Sequence, residues 1–226
     1  MAKPSSALPR IRDVEAVIFD LDGVLVDSEP VHFRAANRIL AKYGKAISEA
    51  EYRRFIGWGE TATWVAWKEL YALPASVNEL AVQIRAASLH EIAIDLPIIA
   101  PAVDLARQLR ADGMPLALAS SSPHDRIDAE LHVAGLQDIF AVRVSGEDPE
   151  IKHPKPAPDV YLHAAARLGA RPESCLAIED SATGALAAHR AGMTVVAVPT
   201  AMTADQDFGV ADVVIESLRY FRLLVL

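Results

Sequence analysis

The sequence predicts an α/β fold: a parallel sheet covered by helices on both faces, interrupted by an inserted, all-helical segment. Three observations predict it. From residue 100 onward, short apolar runs alternate with helix-patterned segments. A matching apolar run, Val17-Ile18-Phe19, stands near the start and ends in acids and Gly23, as a buried strand entering a loop should. Between them, residues 28–98 read as helices only. The expected organisation is therefore residues 1–27 with 99–226 as one α/β domain, and residues 28–98 as an inserted helical domain.

The elements follow in order. After the first strand come helices over 30–43, with Val31, Ala35, Ile39 and Tyr43 on one side, then near 49–56, 60–71 and 76–93. Ser48 with Glu51 and Ser76 with Glu79 have capping-box spacing. Trp64, Trp67 and Tyr71, at i, i+3 and i+7, read as this insert's own core. Beyond residue 100, Val103, Ala106 and Leu109 mark a helix ending at Gly113, and a strand Leu116–Ala119 runs into Ser120-Ser121-Ser122. Pro123 opens a helix carrying Ile127, Leu131 and Ala134, closed by Gly135, and Val142–Val144 is a short strand. Pro158 opens a helix with Tyr161, Ala165 and Leu168, closed by Gly169; Cys175–Ile178 is a strand ending in Glu179-Asp180. A helix over 182–191 closes at Gly192, and Thr194–Val198 and Val213–Ile215 are two further strands. Proline at helix starts and glycine just past helix ends supports these boundaries.

Composition narrows the function classes. The chain has 226 residues, 52% of them apolar and 23% charged, enough for a substantial core. Lys+Arg 22 against Asp+Glu 30 gives a net charge of −8, and no basic cluster is interleaved with aromatics, so nucleic acid is not the expected partner. Charges or prolines break every apolar stretch before it reaches a membrane span. Cys175 stands alone, which excludes an intramolecular disulfide and a cysteine-based zinc site. The opening MAKPSSALPRIRD lacks the apolar run of a signal peptide, so a cytoplasmic location is expected. The apolar tail Leu223-Leu224-Val225-Leu226 suits packing on the core or on another chain; a monomer or weak homo-oligomer is expected.

Ligands of open parallel sheets bind beyond the carboxyl ends of the strands. There the sequence places Asp20-Leu21-Asp22-Gly23, Ser120, Lys155 and Glu179-Asp180. Carboxylates crowded this way repel one another unless a cation sits among them, and oxygen ligands suit a hard divalent ion such as Mg²⁺. Lys155 and Ser120 are then available to an anionic substrate, most naturally a phosphate. Each piece also has a structural explanation. Asp-x-Asp-Gly suits a turn after a strand. The serines suit a helix cap, Lys155 between Pro154 and Pro156 a solvated loop, and Glu179-Asp180 the first turn of a helix. Their joint placement at successive strand ends favours a site.

Four segments carry a family resemblance: FDLDGVLVDSEPVH (19–32), ALASSS (117–122), KHPKPAPDVY (152–161) and IEDSATGALAAHRAG (178–192). In order and spacing they resemble the four motifs of the haloacid dehalogenase superfamily, in the branch with a helical cap inserted after the first motif. That branch includes β-phosphoglucomutase and many sugar-phosphate phosphatases. The resemblance implies a three-layer, Rossmann-like core, a mobile cap and a requirement for Mg²⁺. It implies Asp20 as nucleophile, Asp22 as general acid and base, Ser120 holding a phosphoryl oxygen, and Lys155 neutralising the transferring group. The metal is implied at Asp20, the Asp22 carbonyl, Asp180 and Glu179. Ser121 and Ser122 in the phosphate loop, His32 at a cap-hinge position, and Trp58 and Glu60 in the cap loop are the residues expected to contact substrate.

The expected function is a Mg²⁺-dependent phosphatase acting on a small phosphorylated metabolite through an aspartyl phosphate. A phosphosugar mutase is the alternative, since it uses the same core residues. In mutase-like members of the branch the cap loop carries an arginine for a distal phosphate; here Glu60 stands there, which favours hydrolysis. A dehalogenase needs neither the second acid nor the metal. A phospho-receiver domain needs no helical insert.

Overall fold

The protein is described by a computed structural model covering residues 14–55 and 60–221, with the backbone alone at residues 60 and 61. Trp58, the side chain of Glu60 and the tail from Leu223 lie outside the described residues. The chain divides into two compact units: one comprises the chain up to Val26 and again from Ile98 onward, and the other is Asp27–Pro97.

The first unit is built on a sheet of six parallel strands: β1 (Ala16–Phe19), β2 (Leu116–Ser120), β3 (Val142–Ser145), β4 (Cys175–Glu179), β5 (Thr194–Ala197) and β6 (Val213–Val214). Their spatial order is β3-β2-β1-β4-β5-β6. The six strands read from the sequence are these six, and every residue of β1, β2 and β4 is buried, as both-face coverage requires. One face is lined by Ala16, Ile18, Ala117, Ala119 and Ala177. Against it pack Val160, Tyr161, Ala164 and Ala165 of α7 (Asp159–Leu168) and Ala185, Ala187 and Ala188 of α8 (Ala182–Arg190). The small side chains let these helices approach the sheet closely. Phe19, which alternates to the opposite face, meets Phe140 edge-on at 5.7 Å.

The chain builds β1, β2 and β3 outward in one direction, using α5 (Ala100–Ala111) and α6 (His124–Ala134), then crosses back to place β4 on the other side of β1. That reversal beside β1 opens the crevice at which such sheets hold ligands, and the chain leaves β1 at Asp20. Pro123 and Pro158, predicted to open helices, are the capping residues just before α6 and α7, and Gly135 and Gly169 end these helices in the left-handed region.

The second unit holds α1 (Glu29–Ala41), α2 (Glu49–Tyr52), α3 (Glu60–Tyr71) and α4 (Val77–Ile94). The helix expected over 49–56 instead tightens into a 3₁₀ turn at Arg53–Phe55, a common way for a short helix to end. Both predicted capping boxes form, at Ser48/Glu51 and Ser76/Glu79. Trp64 and Trp67 are buried with ring centroids 5.1 Å apart, and Ile39, Leu40, Leu80 and Ile84 complete their core. Buried Glu91 of α4 accepts from Arg34 Nε at 3.1 Å and from Arg38 Nε at 2.7 Å, which ties α4 to α1. No helix among the described residues is long and apolar enough to cross a membrane.

Leu80 is fully buried in the core of this unit, whereas Leu70 is 62% exposed. Leu80→Ala should therefore destabilise the protein by about 2–5 kcal/mol in urea unfolding. Leu70→Ala should stay within about 0.5 kcal/mol of the parent. Equal effects would mean that the packing assigned here is wrong.

Candidate active site

Three strand ends and one loop of the α/β unit supply the site. Asp20 follows β1 directly; its backbone N–H donates to the Ile178 carbonyl at 3.0 Å, which keeps the carboxyl end of β1 in register with β4. Beyond β4's last residue, Glu179, Asp180 leads into Ser181, whose side chain caps α8 by accepting from Gly184 N. Carboxylate oxygens of Asp20, Glu179 and Asp180 all lie within 4.8 Å of one another.

Lys155 is not a solvated loop lysine. Its side chain is 10% exposed and its ammonium lies 2.6 Å from Asp20 Oδ1 and 2.6 Å from Glu179 Oε1, with a third bond to the Ala119 carbonyl at 3.1 Å. The three partners come from the ends of three neighbouring strands, β1, β4 and β2. Tyr161, fully buried on α7, donates its hydroxyl to the same Glu179 Oε1 at 2.5 Å, and the Lys155 ammonium stands 5.1 Å from its ring centroid. Burial alone would lower the Lys155 pKa; the facing Asp20 and Glu179 outweigh it and hold the ammonium above its ordinary value.

The acids respond in the opposite sense. Burial pushes Asp20 up, partly opposed by Lys155, and Glu179 and Asp22 push it further up. Asp180 is pushed up to about 9, first by burial and then by Glu179 and Asp20. Three carboxylates against one ammonium leave surplus negative charge in a poorly solvated place. The donor set, all oxygen and mostly carboxylate, fits a hard divalent cation.

Glycines make room for this cluster. A methyl group at Gly23, whose φ is +74°, would lie 2.1 Å from Asp180 Oδ2. One at Gly184 would lie 2.0 Å from the Glu179 carboxyl carbon. Both carboxylates are aimed through the space that a side chain would fill.

The serine loop differs in part from expectation. Ser120 is fully buried and its Oγ accepts from Ser122 N at 3.0 Å. Ser121 is exposed. Ser122, predicted as a helix cap or substrate contact, donates its hydroxyl to Asp22 Oδ2 at 2.8 Å. The residue at the cap of α6 is Pro123, which makes no side-chain bond, so the capping explanation of these serines fails. The loop is steadied from below by Ser145, which donates to the Ser122 carbonyl at 2.7 Å.

The structure thus brings to the carboxyl end of the sheet the bonded set Asp20, Lys155 and Glu179 with Asp180 beside it, and the bonded set Ser120, Ser122 and Asp22. His32 is half-buried on α1 and Glu60 begins α3, both in the helical unit. Sequence reasoning missed three members. Tyr161 reads in the sequence as a core position of its helix, where nothing singles out its hydroxyl. Arg126 reaches Asp22 Oδ1, and Glu130, fully buried, accepts from Arg126 Nε at 2.7 Å. The available signal was a glutamate among the apolar residues Ile127, Leu131 and Ala134 of α6, with an arginine four residues earlier.

The comparisons with known proteins agree with this geometry. A family profile described as haloacid dehalogenase-like hydrolase matches residues 14–192. The chain belongs to that family. It is 36% identical over 219 residues to a probable pseudouridine-5'-phosphatase of Drosophila melanogaster, covering 94% of this chain and 93% of that protein. It is 32% identical over 211 residues to hexitol phosphatase B of Escherichia coli K12, covering 92% and 94%. Among solved structures, CbbY from Rhodobacter sphaeroides in complex with phosphate matches with a TM-score of 0.81 and 26% identity, over 91% of this chain and 95% of that one. The family membership and the α/β, Rossmann-like fold expected from the four motifs both hold.

The raised acids set a pH dependence. An acid that keeps its proton to higher pH in the folded protein than in the unfolded chain stabilises the fold below its unfolded value, and that stability is lost as pH rises through the folded value. Asp180, ordinarily at 3.8 and here about 9, and Glu130, ordinarily at 4.5 and here about 8, both act in this sense. Without divalent cations, the melting temperature should fall steadily between about pH 5 and pH 9, and Asp180→Asn should flatten the fall. A melting temperature that rises across this range would contradict the assignment.

Proposed function

We propose that the protein is a divalent-cation-dependent phosphatase that hydrolyses a small phosphorylated metabolite, a sugar phosphate or a similar phosphomonoester, through a phosphoryl group carried transiently on Asp20. The observation that carries this reading is the Lys155 ammonium at 2.6 Å from both Asp20 and Glu179, beside a third carboxylate on Asp180. Such a cluster sets an ammonium against a carboxylate nucleophile and leaves surplus negative charge for a bound cation to offset, and charge compensation is most of what phosphoryl transfer asks of a protein. The phosphatase names of the fly and bacterial relatives support hydrolysis over mutation, as does the acid at position 60.

Asp20 attacks phosphorus, forming an acyl phosphate on Asp20 while the bond to the leaving oxygen breaks. Asp22 gives a proton to that oxygen. Asp22 then takes a proton from water, which attacks the same phosphorus, breaks the acyl-phosphate bond to Asp20 and yields inorganic phosphate. Lys155 screens the charge of Asp20 and of the transferring group. Ser120 Oγ, already accepting from Ser122 N, keeps its own proton for a phosphoryl oxygen. Asp20 and Asp180, with the Asp22 carbonyl and Glu179, would hold a cation such as Mg²⁺. When bound, it supplies positive charge opposite the phosphoryl oxygens and relieves the repulsion among the acids.

The test is phosphate release from a panel of sugar, hexitol and nucleoside monophosphates, with Mg²⁺ and with a chelator. Release that is unaffected by chelation would contradict the proposal. Asp20→Asn should fold and retain less than about a hundredth of the turnover. Asp22→Asn should lose about 10²–10⁴-fold on alkyl phosphates, whose leaving oxygen needs a proton, and far less on p-nitrophenyl phosphate. Equal losses on both would show that Asp22 does not move the proton.

A further inference from the structure

Asp22 is held at both carboxylate oxygens. Oδ2 accepts from the Ser122 hydroxyl at 2.8 Å, and Oδ1 accepts from Arg126 Nη2. Arg126 is itself fixed: its Nε donates to Glu130 Oε1 at 2.7 Å, and only 13% of its side chain is exposed.

Glu130 is the informative member. It is completely buried, one α-helical turn beyond Arg126, on the face of α6 that carries Ile127 and Leu131. Its second oxygen is buried without a hydrogen-bond partner. Packing alone would favour an apolar residue there, because a carboxylate taken from water is destabilising unless it is paired and fully hydrogen-bonded. The pairing that is present points through Arg126 to Asp22. A guanidinium is planar and presents its donors in a fixed fork, so gripping Nε on one side sets where Nη2 stands on the other. The three side chains form a rigid arm, Glu130 to Arg126 to Asp22, which runs from the buried face of α6 to the loop after β1.

Resting on the phosphatase reading of the same site, we infer that Arg126 is the positioning residue for the Asp22 carboxyl group and that Glu130 is its buried anchor. With Ser122 on the other oxygen, the arm fixes the plane of a group that must deliver a proton to one oxygen and withdraw one from another. A misoriented acid loses most of its effect on the steps that need it, and little on those that do not.

The experiment compares an alkyl sugar phosphate with p-nitrophenyl phosphate as substrates. In Arg126→Gln, kcat on the alkyl phosphate should fall about 10–100-fold, with KM within about twofold, while kcat on p-nitrophenyl phosphate falls less than about threefold. Asp22→Asn/Arg126→Gln should be no slower than Asp22→Asn, because the two residues act as one unit. Removing Arg126 alone strands a buried carboxyl group, so the paired variant Arg126→Met/Glu130→Leu, which removes both partners together, serves as the second probe and should show the same discrimination. Circular dichroism and thermal melts establish that each variant is folded. A uniform loss on both substrates, or losses additive with Asp22→Asn, would overturn the inference while leaving the phosphatase reading intact. A parent enzyme that releases no phosphate would overturn that reading and the inference with it, whereas an Asp22→Asn variant with no leaving-group discrimination would overturn Asp22 as the proton carrier and so the inference alone.

Discussion

The Lys155 ammonium, shared at 2.6 Å between Asp20 and Glu179, is the contact on which the site depends. It joins a loop to the ends of β1 and β4, and through the Ala119 carbonyl to β2. Without it, acids from separate strands would face one another in a poorly solvated crevice with nothing to hold them together. Tyr161 reinforces the contact twice, through its hydroxyl on Glu179 and its ring beneath the ammonium. The sheet order makes this possible: β1 has β2 on one side and β4 on the other, so the reversal of the chain falls where the charges converge.

A second constraint is steric. Gly23 and Gly184 leave open the volume into which the Asp180 and Glu179 carboxylates project. Glu179 is held there by pairing with Lys155 and Tyr161, and both carboxylates occupy space that only a glycine leaves open. The same loop after β1 carries Asp22, whose two oxygens are gripped from the serine loop and from α6. Asp20 and Asp22, the proposed nucleophile and proton carrier, stand two residues apart in sequence and are oriented by different parts of the unit.

Much of this was legible in the sequence, for local reasons. The strands of a buried parallel sheet are short apolar runs, and all six were readable because their ends carry acids, serines or glycines. The capping boxes at Ser48 and Ser76 depend on residues three apart, so they too were visible. What was not legible depends on contacts distant in the chain. Lys155 between two prolines looks like a solvated lysine until the loop is placed against β1 and β4. Ser122 looks like a helix cap until Asp22, a hundred residues earlier, reaches it. Gly23 and Gly184 read as turn and helix glycines, whereas what each must avoid is a carboxylate from another segment. The Arg126–Glu130 pair was locally visible as an i, i+4 pair, but its direction toward Asp22 was not.

If the clustered charges act as proposed, Asp20 carries a phosphoryl group during turnover. The most direct measurement is an acid quench during steady-state turnover of a phosphomonoester with Mg²⁺, followed by mass spectrometry of the peptide containing Asp20. One phosphoryl group's mass should appear on that peptide and at Asp20 itself. It should be absent when the cation is chelated and absent in Asp20→Asn. Turnover that proceeds with no phosphoryl group on Asp20 at any quench time, or with the group on another residue, would contradict the proposal.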